Sequence, residues 1–142
     1  MDKQFVIVDT NILFSALLHQ STRFAEIILT SDTHLFIVCE LVVVELFEHK
    51  ERIAQISKLP TEELVATYHD LLRHITLYKE TWITATNWQK AFQLCQDIDE
   101  DDTPHVALAL ELSGLLWTGD RKLQTGLHHK GFSRFFDPNA GN

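Results

Sequence analysis

Four short stretches place carboxylates where a strand would end or a helix begin. They are Asp9 in FVIVDTN, Glu45 in LVVVELF, Asp99 to Asp102 in DIDEDDTPH, and Asp120 in LLWTGD. Asp9 and Asp120 each follow a short apolar run that reads as a buried strand. A carboxylate so placed sits at the carboxyl edge of a sheet, where open α/β folds bind their ligands. Several carboxylates on one edge repel each other unless a cation joins them, and hard divalent cations take oxygen ligands. The chemistry implied is metal-dependent and directed at a phosphate-containing substrate.

Each stretch also has a structural reading. Asp9 before Ile12 suits a helix N-cap. Glu45 lies among Leu41, Val42, Val43, Val44, Leu46 and Phe47, where a buried carboxylate needs a partner. On an amphipathic helix it would instead face solvent beside Glu40 and Glu48. The DIDEDD run reads as a solvated loop in which Asp102 is the preferred ligand, because it directly precedes the Thr103-Pro104 helix start. Asp99 is the second choice, and Asp101 also competes. Asp120 follows Gly119, which lets the chain turn sharply, so a turn aspartate is its plain alternative. What the four share is that each can reach one edge of one sheet.

The elements that must position them alternate. Strands are predicted at 5–8, 35–38, 75–78 and 115–118, with a last short one at 134–136. Helices are predicted at 12–18, 22–30 with Ser21 or Thr22 as cap, 40–56, 61–74, 86–96 and 103–112. The 86–96 helix carries Trp88, Ala91, Phe92 and Cys95 on one stripe. Ser113-Gly114 ends the 103–112 helix, and PNAGN at the end of the chain reads as a frayed tail. Alternation of this kind argues for an α/β fold with a parallel sheet covered on both faces.

The chain has 142 residues, so a single domain over 1–142 is expected. Its 45% hydrophobic and 23% charged residues are ordinary for a soluble globular protein. No apolar run reaches the length of a membrane span. A strand entered by Phe5 leaves no room for a signal peptide. Cys39 and Cys95 lack metal-ligand spacing and sit in apolar contexts, which suggests free core thiols and a reducing cytoplasm. The net charge of −8 weighs mildly against nucleic acid. Carboxylates gathered at a metal site inflate that count, and bound cations reverse its sign locally. Lys50, Arg52, Lys58, Arg121, Lys122, Lys130 and Arg134 lie near the acidic stretches in sequence. They would rim a phosphate site, or singly be solvated surface charges.

VDTNIL with Ser15-Ala16, a mid-chain glutamate in VVVELF, DDTPHVALALE, and WTGD together resemble the PIN-domain nucleases, a family that includes VapC-type toxins of toxin–antitoxin pairs. The resemblance runs from Phe5 to about Leu123 and keeps the order and spacing of all four acidic blocks. It implies a three-layer α/β/α sandwich on a central parallel sheet. It makes Asp9, Glu45, Asp102 and Asp120 the catalytic and metal-binding quartet, with Asp99 as a further candidate ligand, and gives Asn11 and Thr118 supporting positions. It implies Mg²⁺ or Mn²⁺ as cofactor, RNA as substrate, and an antitoxin protein and a homodimer as partners.

Three readings compete. A haloacid-dehalogenase-like phosphatase needs a second aspartate where this chain has Asn11. A receiver domain needs paired acids before the first helix, and Asp9 stands alone in its block. A non-catalytic PIN scaffold, acting as an RNA-binding or protein-interaction module, would be expected to lose carboxylates that this chain retains. His105 reads as a first-turn helix residue in preference to a substrate contact, and His128-His129-Lys130 as a polar surface run. The segment 41–47 and the group Trp82, Trp88 and Phe92 exceed what one small helix face buries, so dimer contact and core packing both remain open.

Overall fold

Val6, Ile7 and Val8, the heart of strand β1 (Gln4–Val8), have no solvent exposure at all. A strand buried on both faces needs a layer on each side. The computed structural model, which describes residues 2–18, 22–57 and 59–140, provides both layers. Four parallel strands lie in the order β3-β2-β1-β4, with β2 at His34–Cys39, β3 at Ile75–Tyr78 and β4 at Leu115–Trp117. The helices are α1 (Thr10–Leu17), α2 (Thr22–Thr30), α3 (Glu40–Glu48), α4 (Lys50–Ile56), α5 (Thr61–Arg73), α6 (Ala85–Cys95), α7 (Thr103–Leu112) and α8 (Arg121–His129).

Strand register assigns the two faces. Val6 pairs with Phe36 and Leu115, and Val8 with Trp117, so these side chains share one face. On that face the Trp117 ring meets Phe24 of α2 at 5.2 Å and Phe136 at 4.8 Å. Ile7 pairs with Ile37 and Leu116 on the opposite face, which α7 covers. Truncating one of these central side chains, such as Ile7→Ala, would cost about 2–5 kcal/mol. The α/β expectation and the parallel sheet are therefore what the chain adopts.

Helix α7 carries Pro104 in its first turn and ends on Ser113 in the left-handed region, with φ 51°. The Gly114 N–H then donates to the Ala109 carbonyl at 2.9 Å, closing the helix. Glycine is required at 114, because a Cβ there would lie 2.6 Å from Ile7 Cδ1 and 3.0 Å from the Phe5 carbonyl oxygen. This close approach delivers β4 to the side of β1.

Several sequence expectations need correction. The helix predicted over 40–56 is two helices meeting at His49, with φ −103° and ψ 14°. Local composition does not mark the break. Packing accompanies it: His49 meets the edge of Phe14 at 5.8 Å while Val42, Leu46 and Ile53 are buried. The strand predicted at 134–136 is a single bridge from Phe135 to Leu116. Phe136 turns back onto Trp117 and Phe36 and fills the core face in place of extending the sheet. Thr118 lies just beyond β4. Phe92 leaves the stripe assigned to it and is 45% exposed, whereas Ala91 and Cys95 are buried. Helix α8 was not foreseen. Its Gly126 hides it from propensity, yet a Cβ at 126 would stand 2.5 Å from Ile98 Cδ1. The proposed Ser21 cap lies outside the described residues. Among the described residues no helix is long and apolar enough to cross a membrane.

Candidate functional site

Parallel strands bring their carboxyl ends to one edge, and the chain uses that edge four times. β1 ends at Val8 and hands Asp9 to the start of α1. β2 leads through Cys39 into α3, which carries Glu45. α7 runs back toward the sheet with Asp102 at its N-cap position. β4 ends in Thr118-Gly119-Asp120, and Asp120 caps α8. β1 and β4 are neighbours whose outgoing connections diverge, which is the switch point where open α/β sheets form a crevice.

A cleft of about 550 Å³ opens there. Asp9, Asn11, Glu45, Asp99, Asp101 and Asp102 all line it. Asp9 is 5% exposed, and its Oδ1 accepts from the Ile12 N–H at 2.9 Å. Asp9 thus caps α1 and lines the cleft at the same time. Asp99 accepts from the Asp101 N–H at 3.0 Å and shapes the turn leading to Asp102. The Asp102 side chain makes no capping bond to α7. Asp120 is exposed and stands outside the cleft wall, with a carboxylate oxygen accepting from the Leu123 N–H at 3.1 Å. Thr118 bridges the gap: its Oγ1 accepts from the Asp120 N–H at 3.2 Å, and its hydroxyl hydrogen-bonds Asp9.

The electrostatics follow from crowding. Burial pushes the Asp102 carboxyl up to about 7, and the charges of Asp99, Asp9, Asp120 and Asp101 add to the rise. Burial also raises Asp9, against hydrogen bonds from Thr118 and Ile12 that lower it, with Asp120 pushing the same way as burial. The three helices α1, α7 and α8 begin at or beside this group, and their N-terminal ends offset part of the negative charge. His105 lines the cleft and is 3% exposed, and burial pulls its imidazole down to about 4. It is neutral near pH 7, so the cleft contains no cationic histidine from this position.

The donor set is all carboxylate oxygen with hydroxyl and amide neighbours, the set a hard divalent cation takes. Asp9, Glu45 and Asp102 on the cleft wall could hold such an ion, with Asp99 on the same wall and Asp120 just outside it. Among the described residues, no three His, Cys, Asp or Glu groups are drawn together into a tight cage. Mutual repulsion keeps uncompensated carboxylates apart.

Three of the seven cations proposed for the rim are engaged elsewhere. The Lys130 ammonium contacts Asp97 and donates to the Leu94 carbonyl at 3.0 Å, locking the end of α6. Arg134 donates to the Ser113 carbonyl at 2.7 Å, and the Lys50 ammonium sits 4.0 Å over the Phe47 ring. Lys58 lies outside the described residues. Cys39 and Cys95 are free and buried as expected. Cys39 Sγ lies 3.8 Å from His105 Nδ1, so His105 is a packed residue.

Thr10 went unrecognised in the sequence. Its hydroxyl donates to Glu45 Oε1 at 3.0 Å, supplying the partner that a glutamate among valines requires. The signal was the Asp-Thr-Asn triplet, in which Thr10 reads as no more than helix-start composition.

A sequence model of the PIN domain matches residues 7–135, and the chain belongs to the PIN-domain family. Among solved structures, the chain is similar to VapBC2 from Rickettsia felis bound to a DNA fragment from their promoter. The TM-score is 0.65 at 14% identity, covering 85% of this chain and 92% of that one. At that identity the likeness establishes the fold. No curated protein matches the chain.

Proposed function

We propose that the protein is a metal-dependent endoribonuclease whose site is built on Asp9, Glu45, Asp102 and Asp120. The observation that carries this reading is one cleft at the carboxyl edge of the sheet lined by Asp9, Glu45 and Asp102, where burial and the neighbouring carboxylates push the Asp102 carboxyl up. A site that resists ionisation this strongly alone is one that a divalent cation relieves. When bound, Mg²⁺ or Mn²⁺ would supply charge to neutralise the scissile phosphate and acidify the attacking water.

The protein's own residues do the rest. Asp9 is fixed in direction by its bond to the Ile12 N–H, and Glu45 by the Thr10 hydroxyl. Thr118 ties Asp9 to the segment that carries Asp120. Asn11 at the cleft wall offers an amide to a phosphate oxygen. Burial lowers the His105 imidazole to about 4, which makes it too weak a base to take a proton effectively near pH 7.

Family membership supports nuclease activity as the type of reaction. The Rickettsia felis structure is of a VapBC2 complex on promoter DNA. By analogy we read this chain as the toxin of a toxin–antitoxin pair, acting in the cytoplasm as a single domain, with an antitoxin protein and a second copy as partners. Metal-dependent cleavage of generic RNA, with Asp9→Asn as the inactive control, tests the proposal.

A further inference from the structure

Beside the acidic cleft lies a second, open groove of about 810 Å³. The two share a wall, because Glu100, Asp101 and Pro104 line both. The far side of the groove is helix α6, which presents Trp88 and Phe92 one turn apart, with Gln89 and Gln93 beside them. Phe92 is 45% exposed, although its helix buries Ala91 and Cys95. The Trp88 indole N–H donates to the Glu80 carbonyl at 3.3 Å, so this ring is anchored and only partly covered.

A polynucleotide with one phosphate in the acidic cleft must lay its flanking nucleotides on the surface next to it. The shared wall is acidic and would repel a second phosphate there. A nucleobase is uncharged, stacks on aromatic faces, and offers edges to amide groups. Two aromatic rings with two glutamine amides, continuous with the cleft, meet those needs.

We propose that the Trp88–Phe92 groove is a nucleobase subsite, holding a base that flanks the phosphate bound in the acidic cleft. The proposal rests on the nuclease reading and deepens it. The strand held there is single-stranded, because a base stacked within a duplex cannot offer its face to Phe92.

The test uses the wild-type chain with Ca²⁺, an oxygen-liganded divalent cation, in place of Mg²⁺ or Mn²⁺, with the strand checked to be intact after each measurement. Affinity is measured for a short RNA oligonucleotide and for the same strand with abasic positions. Phe92→Ala should weaken binding of the base-bearing strand by roughly 5- to 150-fold. The abasic strand should bind both proteins equally, and Phe92→Tyr should restore the affinity. Equal binding of the base-bearing strand by both proteins would overturn the subsite, as would binding of neither strand. A change in sedimenting mass on Phe92→Ala without a change in affinity would make the face a protein contact and also overturn it. Wild-type cleavage, measured in parallel, judges the nuclease reading separately. Cleavage without any dependence of binding on Phe92 leaves the nuclease and removes the subsite. Binding that depends on Phe92 without cleavage does the reverse.

Discussion

The Thr10 hydroxyl donates to Glu45 Oε1 at 3.0 Å, joining residues 35 apart in sequence. Thr10 is 6% exposed at the start of α1, and Glu45 is half-buried in α3. The bond holds a carboxylate toward the cleft from a helix that otherwise presents valines and Phe47 to solvent. Thr10→Val keeps shape and removes the donor. Loss of such a supporting bond typically costs 10–100-fold in metal affinity or activity. The expected result is a drop of that order in cleavage with only about 1 kcal/mol of stability lost. Unchanged cleavage in Thr10→Val would show that Glu45 needs no such support.

Asp9 has two roles that substitution can separate. It caps α1 through the Ile12 N–H and lines the acidic cleft. Asparagine is an equally good N-cap, whereas alanine loses about 0.5–2 kcal/mol. Without divalent metal, Asp9→Asn should therefore melt at or above wild type and Asp9→Ala clearly below it. Both should be inactive. An active Asp9→Asn would reduce the residue to its cap.

The pH dependence of stability has a definite sign. The Asp102 carboxyl has its ordinary value of 3.8 in the unfolded chain and is pushed up to about 7 on folding. Below the lower value it is protonated in both states and its contribution is fully present. As pH rises toward 7 the unfolded chain ionises first, and that contribution is lost. His105 runs the other way, because its folded value is lowered to about 4. Its contribution is present above its unfolded value and is lost as pH falls. Asp102→Asn isolates the first effect. In EDTA its melting advantage over wild type should grow between about pH 4 and pH 7 and then level off. A pH-independent difference in thermal melts would contradict the crowding of carboxylates described here.

Exposed apolar residues bear on assembly. Val43 (42%), Val44 (50%) and Phe47 (68%) lie exposed on α3. An apolar contact is not screened as ion pairs are. Sedimentation at micromolar concentration in moderate salt should give twice the 16.4 kDa chain mass, and Phe47→Glu should halve it. A wild-type monomer throughout that range would remove the dimer and leave the cleft untouched.

Much of this was legible in the sequence, for physical reasons. After Gln4 and His34, β1 and β2 are unbroken apolar runs, and their partners could be placed because strands buried on both faces have few other homes. Asp9, Glu45 and Asp102 could be brought to one cleft because parallel strands share a carboxyl edge. What stayed hidden depended on contacts between distant segments. The break at His49 comes with packing against Phe14, and Gly126 in α8 is explained only by Ile98. Thr10 gains meaning from Glu45, and the outward turn of Phe92 from the groove beside Pro104. Asp120 was placed at the right edge, but its position outside the cleft wall depends on the start of α8.

In the proposed reaction the carboxylates of one cleft hold a divalent cation for phosphodiester cleavage. The most direct measurement is cleavage of a generic single-stranded RNA by the purified chain with Mn²⁺ or Mg²⁺ and with EDTA, alongside Asp9→Asn, Glu45→Gln, Asp102→Asn and Asp120→Asn. The expected result is cleavage by wild type only with metal, lost in all four variants while their folds remain intact by circular dichroism. Metal-independent cleavage, or full activity in all four variants, would contradict the account.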